Sequence, residues 1–362
     1  MGRRVLVTGL STYWGGRLAQ ALESFDEVEA IIGVDSKEPT RELDRTEFVK
    51  VSNSHSLLNR IVRAADIDTV VDTRLTVNSV SVSPRLVHEN NVIGTMNIVT
   101  ACAGADSPVK QFVFKSSAFY YGSEQDDPAF FREDMKRPHP PRTPLERDIV
   151  EAEAAVTELA EKRPDLEATI LRCSNVLGPD ADTAFTRMFD LPLVPMVFGF
   201  DPRLQFVHED DVVHALEHSV FNPTPGVFNL AADGVLALSE VASVLGKRPA
   251  PILPPWGTGL LAGPLRSLGF KVPNEMLNLL RFGRGLDNRR LKAAGFTYQY
   301  TSREAVARLS EHQRLNPVMK GIQTGYTYER EVEDFLRWSP HVSRRRDQGD
   351  EGVVADREPL GI

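Results

Sequence analysis

Between a short β-branched stretch and a stretch with helical spacing the chain reads Thr8-Gly9-Leu10-Ser11-Thr12-Tyr13-Trp14-Gly15-Gly16. A glycine turn at such a junction aims free N–H groups and the positive end of a helix at an anion. Asp35 closes the next β-branched run. A carboxylate there accepts hydrogen bonds from both ribose hydroxyls and repels a 2′-phosphate. Strand, turn, helix, strand and Asp together predict binding of NAD in preference to NADP. The alternative is an α/β fold with an empty crevice.

Other reactive groups are few. Cys102 and Cys173 stand in apolar sequence and read as buried small hydrophobes in a reducing compartment. Neither a Cys-x-x-Cys pair nor a Cys/His cluster occurs in the sequence, so no metal site is expected. The 362 residues include 42 basic and 50 acidic side chains, a net charge of −8. That balance exerts no broad pull on nucleic acid, so no such partner is expected. Hydrophobic residues at 41% suffice for a core without disulfide or metal staples. The first residues lack an apolar leader, and no apolar run approaches ~18 residues. The expectation is a cytoplasmic protein without a transmembrane segment.

The frame that must hold these groups alternates strand and helix. Residues 5–8, 30–34, 48–51, 69–72, 112–115 and 168–172 read as strands, and residues 15–25, 57–65, 87–103 and 145–162 as helices. Short apolar strands parted by helices predict a parallel sheet covered on both faces. The predicted fold is α/β, a Rossmann-type doubly wound parallel sheet with a smaller C-terminal substrate lobe. Residues 1–178 form the dinucleotide-binding domain, with segments near 200–235 returning to it. Residues 179–338 form mainly the second lobe, and residues 339–362, rich in mixed charge, a disordered tail. Residues 123–144, with Pro138-His139-Pro140-Pro141, read as a loop.

Several ordered segments resemble the extended short-chain dehydrogenase/reductases, in the NAD-dependent epimerase/dehydratase branch typified by UDP-galactose 4-epimerase. The turn is similar to that family's TGxxGxxG. Asn91-Val92-Ile93-Gly94-Thr95-Met96-Asn97 resembles its NxxGTxN helix. The run from Val109 to Gly122 resembles VKRFVYxSSxxxYG, and Leu171–Pro179 resembles LRxxNVxGP. Phe206-Val207-His208-Glu209-Asp210-Asp211-Val212 is similar to FIHVDDV. Gly226–Leu230 and Leu291–Phe296 look like late elements of the family, so the resemblance runs to about residue 310. It implies cofactor contacts from Gly9, Ser11, Thr12, Tyr13, Trp14, Gly15, Asp35, Ser36, Ser52, Asn53, Thr73, Arg74, Asn91, Ser116 and Cys173. It implies substrate contacts from Asn175, Arg203 and His208.

The departures are as informative as the matches. Thr12 replaces the middle glycine, and its β-branch should push the phosphates away or shift the turn. Ser52-Asn53 stand where the family has an adenine-contacting Asp. The fourth strand ends Asp72-Thr73-Arg74-Leu75 instead of in small residues. Arg74 either pairs with Asp72 or reaches a phosphate. The family's chemistry uses a Ser or Thr, a Tyr, and a Lys four residues after the Tyr. Ser117 fills the first position. Leu145 stands for the Tyr and Ile149 for the Lys, while Glu153 matches the trailing Glu. None of the seven tyrosines has a Lys four residues later. Hydride transfer by the family's route is therefore expected to be lost, leaving an NAD-binding member of the family or, with no dinucleotide, a ligand sensor or protein-binding scaffold. The alternative is an active NAD-dependent epimerase or oxidoreductase with a set built on Ser117 and Tyr121.

Residues 251–283 are greasier than a sugar-nucleotide lobe requires. They read as packed core, or as a cover for an apolar ligand, a partner or a peripheral membrane contact. The ligand is expected to be a small molecule, a sugar nucleotide or an apolar compound. A homodimer through residues 87–103 and 145–162 is expected from the resemblance.

Overall fold

The computed structural model describes residues 2–51, 54–77, 82–104, 106–253 and 273–320. Seven strands make the main sheet: β1 Arg3–Thr8, β2 Val28–Asp35, β3 Thr46–Lys50, β4 Thr69–Asp72, β5 Gln111–Ser117, β6 Glu167–Cys173 and β7 Gly226–Leu230. All pair in parallel, in the order β7-β6-β5-β4-β1-β2-β3. The order reverses at β1, and a doubly wound sheet opens its ligand crevice at such a point. The central strands are apolar on both faces because both are covered. Val70, Val71, Phe112, Val113 and Phe114 are all fully buried.

On one face pack α2 (His55–Ala64), α4 (Gly94–Cys102) and α5 (Pro144–Lys162); on the other pack α1 (Tyr13–Glu23) and α6 (Glu209–Phe221). The helix expected over 87–103 starts earlier, with α3 (Pro84–His88). Pro84 sits in the first turn, and Ser83 caps it by accepting from the Leu86 amide. Between α3 and α4 lies a five-residue π-turn, Glu89–Ile93. The wider turn lets Asn90 and Asn91 hold the loop after β4. Asn90 Nδ2 donates to the Arg74 carbonyl at 2.8 Å, and Asn91 bonds both the amide and the carbonyl of Thr76.

α3 is tied to α5 by His88 Nδ1 and Asp148 Oδ1, 2.8 Å apart. The hydrogen bond to Asp148 raises the His88 pKa. A raised folded-state value means stability present below the unfolded histidine pKa and lost as pH rises through the folded one. His88→Gln should therefore cost more stability at about pH 5.5 than at about pH 8.5, where both proteins lack the charge. Urea midpoints at the two pH values test this. An equal difference at both would count against the ion pair.

A second cluster of apolar side chains forms around helices Ala184–Asp190, Leu238–Val244 and Asn274–Phe282, with Phe185, Phe189 and Phe206 meeting edge-on or tilted. Short strand pairs frame it: Leu193–Val197 with Arg248–Leu253, and Asn175–Leu177 with Phe206–His208. The chain divides into two compact units, Met1–Ser310 and Glu311–Ile362. In the second, residues 311–320 are helical. Most of the apolar segment 251–283 (residues 254–272) and the tail 339–362 lie outside the described residues. Among the described residues no helix is long and apolar enough to cross a membrane.

Candidate functional site

The glycine turn joins β1 to α1. Gly9 has φ +80°, and a Cβ there would fall 2.6 Å from Arg74 Cγ. A Cβ on Gly15 would fall on the Gly9 carbonyl, so the helix approaches the strand only because both residues are glycine. Thr12 is the N-cap of α1, in extended conformation (φ −76°, ψ 158°). Its hydroxyl accepts from the Gly15 amide at 3.1 Å and donates to the Gly9 carbonyl at 2.7 Å. The turn thus closes on its own threonine, which withdraws one amide from any incoming anion. The amides of Tyr13 and Trp14, first in the helix, have no intrahelical partner.

Asp35 lies at the end of β2, beside this turn. Its Oδ2 accepts from the Ser11 amide at 2.9 Å and hydroxyl at 2.7 Å, and its Oδ1 from the Ser36 amide at 2.6 Å. Oδ1 also accepts from the Ser36 hydroxyl at 3.3 Å and the Lys37 amide at 3.4 Å, so the carboxylate is fixed in place, and a ribose hydroxyl would bind in exchange for these two longer bonds. Thr73 Oγ1 donates to the Thr8 carbonyl and packs against Gly15. Arg74 pairs with fully buried Asp72 (Nε–Oδ1 3.1 Å) and lies across Gly9 and Gly94. Asn91 is occupied with Thr76, a holding role for the loop. Ser52 and Asn53 lie outside the described residues. The Tyr13 and Trp14 amides are donors that fit a dinucleotide's pyrophosphate, and the Asp35 carboxylate is an acceptor that fits the hydroxyls of its adenosine ribose.

Beyond the carboxyl ends of β5 and β6 lies a cavity of about 190 Å³. Tyr13, Trp14, Ser116, Ser117, Cys173 and Asn175, all expected in the site, line it. Ser117 Oγ accepts from the Phe119 amide at 3.3 Å, and Asn175 Nδ2 donates to the Gln205 carbonyl at 2.9 Å. Ser116 is committed to the frame: its hydroxyl donates to Glu153 Oε1 at 2.5 Å. Glu153 in turn holds Arg172 Nη2 at 2.7 Å, and the guanidinium stacks on the Tyr120 ring, 3.5 Å from its centroid. Burial pushes the Glu153 carboxyl up, against the pull of Arg172 and Ser116.

Other expected site residues do not line this cavity. Tyr121 is buried against Phe131, and its hydroxyl donates to Asn229 Oδ1 at 2.9 Å. Burial pushes its pKa up to about 12, which leaves no base at neutral pH. Arg203 is exposed on a short strand that pairs with Ala237. His208 is buried against Tyr300, with Nδ1 accepting from the Asp210 amide at 3.2 Å. Leu145 and Ile149, expected at the Tyr and Lys positions, are 2% and 0% exposed and belong to the core under α5. Both cysteines are free and buried, and burial pushes the Cys102 thiol up to about 12, as inert small hydrophobes require.

Sequence reading missed Lys115 and Arg284, which also line the cavity. The signal for Lys115 was there: it directly follows Phe112-Val113-Phe114, a run that a covered parallel strand buries on both faces.

Residues 5–231 match the family model described as NAD dependent epimerase/dehydratase family. An uncharacterized protein of Mycobacterium tuberculosis is 34% identical over 326 residues, covering 87% of this chain and 85% of its own length. UDP-glucose 4-epimerase of Thermotoga maritima, solved with UDP-glucose, superposes with a TM-score of 0.65 at 20% identity, over 86% of this chain and 99% of that one. UDP-glucuronic acid 4-epimerase of Bacillus cereus, solved with NAD, gives 0.63 at 16%, over 86% and 98%. The parallel sheet and crevice agree with that fold, and the family match spans more than half the chain. The chain belongs to the NAD dependent epimerase/dehydratase family.

Proposed function

We propose that this protein binds NAD at the Gly9–Gly15 turn and a small ligand in the adjoining cavity, without hydride transfer by a Tyr/Lys pair. The observation that carries this reading is the burial of Leu145 and Ile149 in the core. Neither side chain ionises, so neither takes a proton at the cavity. The Tyr13 and Trp14 amides would hold the pyrophosphate, and Asp35 the adenosine ribose. Bound NAD would supply a hydride acceptor. The chain's own residues supply binding and exclusion of water, and Ser117 one hydroxyl. NAD in the Bacillus cereus relative supports the cofactor.

Calorimetric titration with NAD and NADP tests the binding. NAD should bind in clear preference to NADP, and Asp35→Ala should weaken NAD about tenfold or more, as loss of hydrogen bonds to a charged group predicts. Equal affinity for both nucleotides, or no effect of Asp35→Ala, would count against this site. A second reading keeps the protein an active epimerase or oxidoreductase with a non-standard set. It rests on Ser117 and Lys115, two residues apart on β5 and both lining the cavity.

A further inference from the structure

Lys115 and Arg284 are 3% and 7% exposed, and among the described residues neither has a carboxylate within ion-pair distance. Lys115 Nζ stands 4.9 Å from the Trp14 ring centroid, and the Arg284 guanidinium 4.9 Å from that of Phe119. Arg284 Nη1 also donates to the Gly122 carbonyl at 2.9 Å. Trp14 and Phe119 line the same cavity as the two cations, together with Phe185 and Met276. Burial lowers the pKa of both, that of Arg284 to about 10. Asp72 acts on Lys115, and Glu146 and Asp127 on Arg284, only from beyond ion-pair distance. Two buried cations so weakly offset are costly to a fold, and chains keep such groups where something nearer offsets the charge.

The cavity's size and rim narrow what that something is. An apolar cavity of about 150 Å³ accepts benzene. The 190 Å³ here suits one ring with a small head group, and pockets for larger ligands run to about 300–1,000 Å³. Asp180 and Asp182 stand exposed in the wall, which disfavours a multiply charged ligand such as a nucleoside diphosphate. Glu275, buried in the wall, has a partner of its own.

We propose that this cavity is a receptor for a compact monoanion, a carboxylate on a small apolar body, with Lys115 and Arg284 holding the head and Trp14, Phe119 and Phe185 the body. The proposal deepens the reading of this cavity as the ligand site and does not depend on the dinucleotide. Tyr13 and Trp14, in the cavity wall, begin α1, so the ligand lies next to the glycine turn.

The test is calorimetric titration of the full chain with benzoate, hexanoate and the neutral isostere benzamide, each with and without NAD. At least one of the two carboxylates should bind at one site, and benzamide about tenfold or more weaker than benzoate, the loss expected for a charge-assisted hydrogen bond. Lys115→Met should abolish the preference for the anion while the melting temperature holds or rises, since the substitution removes a buried charge. Arg284→Met, read the same way, covers the case in which Lys115→Met does not fold. Equal binding of benzoate and benzamide, or no binding of either carboxylate, overturns the proposal. NAD binding without carboxylate binding sinks this inference alone. Carboxylate binding without NAD sinks the dinucleotide reading and leaves this one standing.

Discussion

Arg172→Met should lower the stability of this protein by about 3–5 kcal/mol, because it strands Glu153 as an unpaired carboxylate in the core. Glu153 is 2% exposed and Arg172 4%. Arg172 donates from both Nε and Nη2 to Glu153, and Ser116 supplies a third donor at 2.5 Å. The substitution also removes the guanidinium from the faces of Tyr120 and Tyr121. The three bonded residues sit on β5, α5 and β6, so the network fixes the helix that carries Leu145 and Ile149 against the strand that carries Ser117. Urea denaturation measures the loss. The double variant Arg172→Met/Glu153→Leu should recover most of it, since an apolar pair of similar volume often replaces a buried ion pair at little cost. A double variant as unstable as the single one would show that the Tyr stacking, rather than the ion pair, dominates.

Restoring the family's pair is the second large effect. Ile149→Lys places an ammonium at a site with no exposure, among Ile98, Ala152 and Val156. Its expected cost is again about 3–5 kcal/mol, the scale for an uncompensated buried charge. Leu145→Tyr needs room for a ring and a hydroxyl partner, at a position packed to 2% exposure. The sequence alone suggests that Leu145→Tyr with Ile149→Lys recovers activity in an otherwise intact pocket. The packing predicts instead a sharply destabilised protein, read as an early urea midpoint, with no activity gained. A restored variant as stable as the parent would mean that these positions face the cavity and that their burial does not exclude catalysis.

The frame was legible because its signals are local. Short β-branched runs parted by helical spacing mark β1, β2, β4, β5 and β6, each found within a few residues of its expected place. Thr12 was legible as an anomaly but not as a cap, since its bonds to Gly9 and Gly15 depend on a turn that only the fold closes. The Asp72–Arg74 pair was readable from two residues of separation, and the geometry adds that the guanidinium spans Gly9 and Gly94. The bonds of Asn91 were out of reach for a similar reason. Its motif is similar to that of the family, and it is the π-turn before Gly94 that brings its Oδ1 and Nδ2 to the loop at Thr76. Arg284 was beyond reach, because its approach to Phe119 joins residues 165 positions apart.

Turnover with bound cofactor decides whether this protein works without a Tyr/Lys pair. The full chain, saturated with NAD, is given UDP-glucose and followed by NADH absorbance and by analysis of the sugar for epimerised product. With Leu145 and Ile149 in the core and no ionisable pair in their place, the expected result is bound NAD with neither NADH nor product. Turnover that disappears in Ser117→Ala would contradict it and establish a working catalytic set without the Tyr/Lys pair.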